Sequence, residues 1–268
     1  MAPAAYQQVL TTLNARLADD FRRLNSARTP SAISSASSTA GTDVSSGVSQ
    51  LQGVVPPVPL EAAHAALISA LGNFGNDLQG AATAASQNQV CTGPSATAVI
   101  SRGNGSAQLR SVAAQLATAD PAHPAPVGTF LPPATADRNR RLANGTLVKG
   151  STGGGLGTLN IANGGGTDAT ISLVLRRART ATIAVYVHRR SSYTVTGIDD
   201  GSYQVYITSG RDWDRHRFTR TCDFQKFDQN LTYTTTSTQY TTYHITLTPV
   251  QGGTAAISPV DPNQFPAS

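Results

Sequence analysis

Apolar and polar positions in the first 119 residues follow the period of an α-helix. Between residues 3 and 28, apolar side chains recur every three or four positions and form one stripe, which ends before Pro30. Residues 60–87 repeat this pattern. Residues 95–119 repeat it again, with an interruption at Gly103-Asn104-Gly105. The pattern predicts three amphipathic helices.

The stretch between the first two of these helices is less decisive. Residues 31–53 are rich in Ser, Thr and Gly, which are mediocre or poor helix formers, so we expect only a weak helix in their second half. The run Pro56-Pro57-Val58-Pro59 is a stiff break. Three strong helices and one weak helix predict a small up-down bundle as the domain of residues 1–119.

Proline and arginine dominate the next segment. Residues 120–150 contain Asp120-Pro121, Pro124, Pro126 and Pro132-Pro133, which neither continue a helix nor fit a central strand. We therefore expect a semi-rigid linker between two domains.

From about residue 146 the hydrophobic period changes to two, as in half-buried strands. Seven or eight short alternating segments are separated by turn signals. These signals are Asn163-Gly164-Gly165-Gly166, Asp199-Asp200-Gly201, Ser209-Gly210 and Gly252-Gly253. The pattern favours an antiparallel β-sandwich over residues 151–268. The predicted fold class is therefore α+β as two domains, a helical bundle followed by a sandwich.

Charge is sparse and skewed in type. The chain has one Glu against 14 Asp, and two Lys against 18 Arg, a bias typical of a GC-rich genome. The net charge of +5 divides into zero over residues 1–120, +3 over 121–150 and +2 over 151–268. Because acids are interleaved with the cations, the sequence does not favour nucleic acid as a partner.

Two features bear on location. No stretch approaches the 18 consecutive apolar residues of a membrane span, and Met1 leads into an amphipathic pattern without an apolar leader. We expect a mature extracellular or cell-surface form, with a cytoplasmic protein as the alternative.

Cys91 and Cys222 are the only cysteines, one in each predicted domain. Either they form a disulfide or they are two unrelated thiols.

Residues 210–216 form the densest polar cluster. On a strand, Asp212, Asp214 and His216 would share one face, and carboxylate oxygens there would favour calcium. The alternative is an exposed, salt-bridged turn in which Trp213 packs on the sandwich. No cofactor other than such a calcium ion is indicated, and the metal candidates are Asp212 and Asp214.

A second candidate surface is aromatic. Trp213, Tyr233, Tyr240 and Tyr243, with a Thr run at 232–238, could form a platform for sugars such as cell-wall glycan. The same residue types are also ordinary strand formers.

Two arginine clusters complete the candidates. Arg176-Arg177-Ala178-Arg179 is expected at a hairpin turn, and Arg189-Arg190 at the far end of the next strand. Either cluster could contact an anionic partner, although a solvated turn explains each as well.

Two local patterns resemble known families. Residues 193–207 (YTVTGIDDGSYQVYI) resemble the hairpin of carboxypeptidase-regulatory-like and PEGA-like domains. More broadly, residues 157–265 resemble a β domain of uncharacterised secreted and surface proteins of high-GC Gram-positive bacteria. That resemblance is carried by Leu159–Gly164, Asp168-Ala169, Gly201–Tyr203, Gly210–Asp214 and Phe218–Arg220. It implies an extracellular location and no known chemistry.

Enzyme signatures are not found in the sequence: there is no Gly-x-Ser-x-Gly elbow and no His-Glu-x-x-His motif. We therefore expect a non-enzymatic secreted or cell-envelope protein that binds a protein partner or itself. The alternatives are a carbohydrate- or cation-binding module and a self-assembling subunit of a filament or particle.

Overall fold

The computed structural model describes residues 1–248 and 256–266. The chain divides into two compact units, Met1–Asp137 and Arg138–Ser268. The first unit is helical and the second is built from strands, as the sequence predicts. The turn predicted at Gly252-Gly253 lies outside the described residues.

The helical unit contains five α-helices and a short 3-10 turn at Val58–Leu60. The helices are α1 (Pro3–Ser26), α2 (Pro30–Gln52), α3 (Glu61–Ser86), α4 (Gly93–Ser101) and α5 (Asn104–Ala119). Their apolar stripes meet in one core, in which Phe21 and Phe74 stack with ring centroids 5.9 Å apart. The predicted helical bundle is confirmed.

Helix α2 is stronger than its composition predicts. It spans all of Pro30–Gln52, with Pro30 at its first turn and the Thr29 side chain accepting a hydrogen bond from Ala32 N–H. Small and apolar residues repeat at helical spacing on its buried side, which comprises Pro30, Ile33, Ser37, Ala40, Val44, Gly47 and Leu51. The expectation of a weak, partial helix was wrong because this packing outweighs intrinsic propensity.

The interruption at residues 103–105 separates two helices. Helix α4 ends at Ser101 and α5 begins at Asn104. A Cβ at Gly105 would lie 2.2 Å from the backbone nitrogen of Phe74, so only glycine permits this approach of α5 to α3.

Within its described residues, the second unit contains ten strands in two sheets. They are β1 (Leu147–Lys149), β2 (Gly157–Asn163), β3 (Asp168–Leu175), β4 (Ile183–Val187), β5 (Ser191–Ile198), β6 (Gly201–Trp213), β7 (Phe218–Phe227), β8 (Leu231–Tyr233), β9 (Thr242–Thr246) and β10 (Ile257–Pro259). The larger sheet has the order β1-β4-β3-β6-β7-β10, with β8 also paired to β6, and the smaller sheet has the order β5-β2-β9. Among the strands that the structure describes, β2 pairs with β9 in parallel and the other pairs are antiparallel.

One apolar core joins the two sheets. Ile171, Val185 and Val205 from the larger sheet pack with Leu159 and Ile161 of β2 in the same buried cluster. This arrangement agrees with the predicted sandwich, except for the parallel β2/β9 pair.

The segment 193–207 is not the hairpin that the resemblance implies. Strand β5 pairs with β2 in the smaller sheet, whereas β6 pairs with β3, β7 and β8 in the larger sheet. The Asp199-Asp200 turn therefore carries the chain from one sheet to the other. The Tyr203 hydroxyl donates a hydrogen bond to the Asp199 carbonyl at 3.0 Å, which is the geometry of a tyrosine corner.

The predicted linker is divided between the units. Val127, Phe130 and Leu131 pack against the helical core, and the Phe130 ring lies 5.0 Å from that of Phe21. Residues from Arg138 onward belong to the second unit. The boundary thus falls between residues 137 and 138, inside the region expected to be a spacer.

Candidate functional site

The β6–β7 hairpin contains the polar cluster of residues 210–216. Strand β6 runs through the predicted Ser209-Gly210 turn, with a change of register between Ser209 and Arg211, and ends at Trp213. The turn comes after it, where the Asp214 carboxylate accepts hydrogen bonds from the N–H groups of His216 (3.1 Å) and Arg217 (3.0 Å).

Asp212, at the end of β6, is buried, and both of its carboxylate oxygens accept hydrogen bonds. Its carboxylate accepts Arg140 backbone N–H (2.9 Å), Arg140 Nε (2.8 Å) and a second guanidinium nitrogen (2.7 Å), together with the Thr219 hydroxyl (2.7 Å). Burial alone would raise the pKa of Asp212, but these hydrogen bonds outweigh burial and lower it. Asp212 is therefore held as an ionised acceptor.

Asp168, at the start of β3, forms a matching arrangement with the next arginine. Arg141 reaches both carboxylate oxygens at 2.6 Å, and the Tyr186 hydroxyl (2.5 Å) and Arg189 N–H (2.9 Å) complete the set. Burial opposes ionisation here as well, but the hydrogen bonds lower the pKa of Asp168 to about 2. The two adjacent arginines thus fasten the segment before β1 to the sheet.

Aromatic side chains pack beside these ion pairs. The rings of Trp213 and Phe218 meet edge to face with centroids 5.0 Å apart, and Tyr186 lies 5.6 Å from Trp213. All three side chains are buried. This packing supports the alternative interpretation of the cluster, in which Trp213 belongs to the sandwich.

The predicted aromatic platform does not assemble as an exposed surface. Trp213 and Tyr233 are 3% and 1% exposed, so neither ring face is available to a sugar. Tyr233 packs edge to face on Tyr203 and Tyr243. Tyr240 is exposed and Tyr243 is half-buried, so these two remain as the accessible part of that prediction.

The metal prediction rests on Asp212 and Asp214, whose carboxylates have different partners. The Asp212 carboxylate accepts hydrogen bonds from Arg140 and Thr219, and the Asp214 carboxylate accepts them from the backbone of the turn. Within residues 1–248 and 256–266, no group of three or more His, Cys, Asp or Glu residues could hold a metal ion.

Nine arginines gather at the end of the larger sheet that contains Asp168 and Asp212. We call this set the arginine end; it comprises Arg138, Arg140, Arg141, Arg189, Arg190, Arg211, Arg215, Arg217 and Arg220. Arg138 joins the set because its carbonyl accepts a hydrogen bond from the Arg220 side chain. Arg189 and Arg190 follow β4, whose register against β3 places them beside Asp168.

The opposite end of the same sheet has fewer cations, three arginines with two aspartates nearby, than the arginine end. Arg176, Arg177 and Arg179 lie in the β3–β4 turn, as predicted, and Asp199 and Asp200 lie at the start of β6. The arginine end has nine cations around Asp168, Asp212 and Asp214, with Asp223 following on β7. Two of those carboxylates are already used by Arg140 and Arg141.

The arginine end has two energetically unfavourable features, one of charge and one of backbone conformation. Arg211 and Arg220 are directly opposite each other on β6 and β7, where two like charges destabilise a strand pair. Arg190 and Arg215 have φ values of 55° and 92°, in the left-handed region that glycine and asparagine tolerate better. Strained backbone positions cluster at functional sites, and arginine occupies positions 190 and 215 here.

Cys91, which precedes α4, and Cys222, on β7, are both buried. Neither cysteine is free, and each is disulfide-bonded, as predicted. No helix in the described part of the chain is long and apolar enough to cross a membrane.

Comparison of the chain with protein-family models, curated proteins and solved structures finds no match. The suspected relation to surface proteins therefore stays a prediction.

Sequence reasoning found part of the arginine end and missed the rest. It identified Arg189-Arg190 and the hairpin residues, but it assigned residues 138–141 to a linker. The signal was present, because Arg138-Asn139-Arg140-Arg141 is the densest cationic run of the supposed spacer. Pairing with Asp168 and Asp212, far along the chain, could not be read from spacing.

Proposed function

We propose that this chain is a non-enzymatic secreted or cell-envelope protein that acts by binding a partner. The observation that carries the proposal is that Cys91 and Cys222 are both buried and both disulfide-bonded. Structural disulfides persist in oxidising compartments and are rare in the cytosol of mesophiles.

The chemistry of the polar cluster supports binding over catalysis. A general acid or base must exchange a proton near the working pH. Asp168 and Asp212 have lowered pKa values and are saturated by arginine, so they are suited to holding structure. Around them, exposed arginines are available to an external anion.

The experiment is intact mass, with and without reductant, on protein taken from fractionated native cells, with light scattering on the same sample. We expect a disulfide-bonded protein in the envelope or medium that does not form large polymers. Free thiols in a cytosolic fraction would contradict export. A large homo-oligomer would instead favour the self-assembling subunit.

A further inference from the structure

We propose that the arginine end binds a flexible polymer whose units are joined by phosphodiesters and carry no bases, such as a polyol-phosphate or sugar-phosphate chain. This proposal rests on the proposed function, since it names the class of partner that the extracellular protein would recognise.

The first argument is the charge. Residues 138–268 carry 14 cationic and eight acidic side chains, whereas residues 1–137 carry six and seven. Nine of the 14 cations belong to the arginine end. Arg138, Arg189, Arg190, Arg211 and Arg215 of this set are exposed. A concentrated cationic surface on one unit attracts polyanions through the release of their counterions.

The second argument is the residue type and its support. A guanidinium presents a rigid fork of donors that fits phosphate oxygens, as Arg141 already demonstrates on a carboxylate with two contacts of 2.6 Å. The backbones of two of the exposed arginines adjoin the buried ion pairs. Arg189 N–H is bound to Asp168, and Arg211 lies next to the anchored Asp212. The surface is therefore organised before the partner arrives.

The third argument is the cost of the arrangement. Arginine occupies left-handed positions at 190 and 215, where an L side chain strains the backbone, and five arginines of the set are exposed close to one another in the fold. Phosphate groups bound among the exposed guanidinium groups would lower the repulsion between these like charges. An arrangement that is unfavourable alone and favourable with an anion indicates a binding surface.

The surroundings discriminate among polyanions. Nucleic acids bound as single strands stack their bases on aromatic rings, but Tyr186, Trp213 and Phe218 are buried here. Peripheral membrane binding normally adds exposed apolar side chains to charge. Among the described residues, the large exposed apolar side chains lie outside the arginine end, at Met1, Val55, Val58, Leu147, Leu156, Leu175, Tyr240 and Ile257. A base-free polymer needs neither feature.

The test uses the full oxidised chain and deacylated poly(glycerol phosphate) as the probe, with binding followed by calorimetry or fluorescence anisotropy. With about five phosphate contacts, affinity should fall about 100-fold between 50 and 200 mM salt. The test variant combines Arg189→Gln, Arg190→Asn and Arg211→Gln, with Asn chosen at the left-handed position. We expect it to bind about 100-fold more weakly at 0.1 M salt.

The matched control removes the same charge from the opposite end of the sheet. It combines Arg176→Gln, Arg177→Asn and Arg179→Gln, and Arg177 has a φ of 83°, so its backbone is comparable. We expect affinity within about twofold of the parent protein, because these positions do not contact the polymer. Fluorescence of the single Trp213 in each protein shows whether the sandwich is intact.

Four results would overturn the proposal: no binding by the parent protein at 50 mM salt, equal losses in both variants, tighter binding to single-stranded DNA of equal phosphate number, or tighter binding to phosphatidylglycerol vesicles or polygalacturonate. Failure here is distinguishable from failure of the proposed function. An exported, disulfide-bonded protein that does not bind the polymer contradicts only this inference. Free thiols in the cytosol contradict the proposed function, whether or not the polymer binds.

Discussion

Both units bury aspartates, but the helical unit and the β unit neutralise them differently. In the β unit, Asp168 and Asp212 each receive an arginine fork, and their pKa values are lowered. In the helical unit, Asp20 of α1 is 3% exposed and its nearest cation, Arg23, lies 3.6 Å away on an exposed side chain.

The partner of Asp20 is another carboxyl, Asp43 of α2. Burial raises the pKa of Asp20 to about 6, and the hydrogen bond and charge of Asp43 add to that effect, while Arg23 opposes it. The Oδ2 atom of Asp20 is buried without a hydrogen-bond partner among the described residues. A proton on one of the two carboxyls would let that carboxyl donate a hydrogen bond to the other.

The comparison shows that burial alone does not determine the charge of an aspartate. Where a rigid donor fork reaches the carboxylate, ionisation is favoured despite burial. Where a second carboxyl is the neighbour, the proton is retained to a higher pH. Protonation of these aspartates should therefore change the stability of the two units in opposite directions as pH falls.

The largest effect is expected from Arg140→Leu. This change leaves the buried Asp212 carboxylate without its two guanidinium contacts, and breaking a buried ion pair from one side is strongly destabilising. Because the Arg140 side chain is itself 43% exposed, we expect a loss near the lower end of the usual range, about 3 kcal/mol. Urea unfolding followed by Trp213 fluorescence measures it.

The control for Arg140→Leu is Arg176→Leu, which removes an exposed arginine from the other end of the sheet. We expect it to change the free energy of unfolding by less than about 0.5 kcal/mol. Equal effects of the two changes would show that the Asp212 pair contributes nothing specific.

The second prediction concerns pH. The pKa of Asp20 rises from 3.8 to about 6 on folding, so the folded helical unit binds the proton more tightly than the unfolded chain. Asp20 should therefore add roughly 2 kcal/mol of stability to the helical unit as pH falls from about 7 to 4, against a smaller opposing loss from the buried His64. The lowered pKa of Asp168 has the opposite sign: its stabilisation is complete above 3.8 and is lost as pH falls towards 2.

Two probes separate these responses. Circular dichroism at the helical band follows the first unit, and Trp213 fluorescence follows the second. Asp20→Asn should remove the gain in helical stability on acidification and leave the fluorescence transition unchanged. The remaining pH dependence should have the opposite sign, because burial lowers the pKa of His64 and the helical unit loses stability as that ring is protonated. A variant whose helical unit is still stabilised as pH falls from 7 to 4 would refute the role of Asp20.

The third prediction compares one tyrosine hydroxyl in each unit. The Tyr6 hydroxyl lies 2.9 Å from Nδ1 of His64, whose pKa is lowered by burial, so the neutral ring accepts this hydrogen bond. Tyr6→Phe leaves that nitrogen unpaired in the core and should cost about 1.5 kcal/mol. Tyr203→Phe removes a bond to the carbonyl of the exposed Asp199, where water can replace it, so we expect about 0.5 to 1 kcal/mol.

Equilibrium unfolding of both variants tests this order, with each unit followed by its own signal. A larger cost for Tyr203→Phe would mean that the corner fixes the crossing between the sheets, beyond the energy of one hydrogen bond.

The sequence predicted what depends on local periodicity. The helical stripe of α1 and the alternating residues of β3 and β4 are local patterns, so both were recognised. Helix α2 was underestimated because its stability comes from packing a stripe of small residues against other helices. The turn at Asp199-Asp200 was assigned to a hairpin because a turn signal does not reveal which sheet the next strand joins.

The candidate site was harder to predict for the same reason. Arg140 and Asp212 are separated by 72 residues, and Arg141 and Asp168 by 27, so only the folded register of β3 and β6 brings these pairs together. The polar cluster at 210–216 was recognised by composition. The contacts that Arg140 and Arg141, in the presumed linker, make with Asp212 and Asp168 were not recognised.

The smallest expected effects come from two glycines that have open space but different backbones. Nothing lies within 4 Å of a Cβ built on Gly41 in α2 or on Gly153 before β2, but Gly153 has a φ of 147°. Gly41→Ala should stabilise the helical unit by about 0.5 to 1 kcal/mol, because alanine is the better helix former and restricts the unfolded chain. Gly153→Ala should destabilise the β unit by about 1 kcal/mol, because an L side chain is strained at that φ. Thermal unfolding of both variants, read by the signal of each unit, measures the two shifts. If both changes stabilised the protein, steric space rather than backbone conformation would govern these positions, and the left-handed arginines would lose their significance as costly residues.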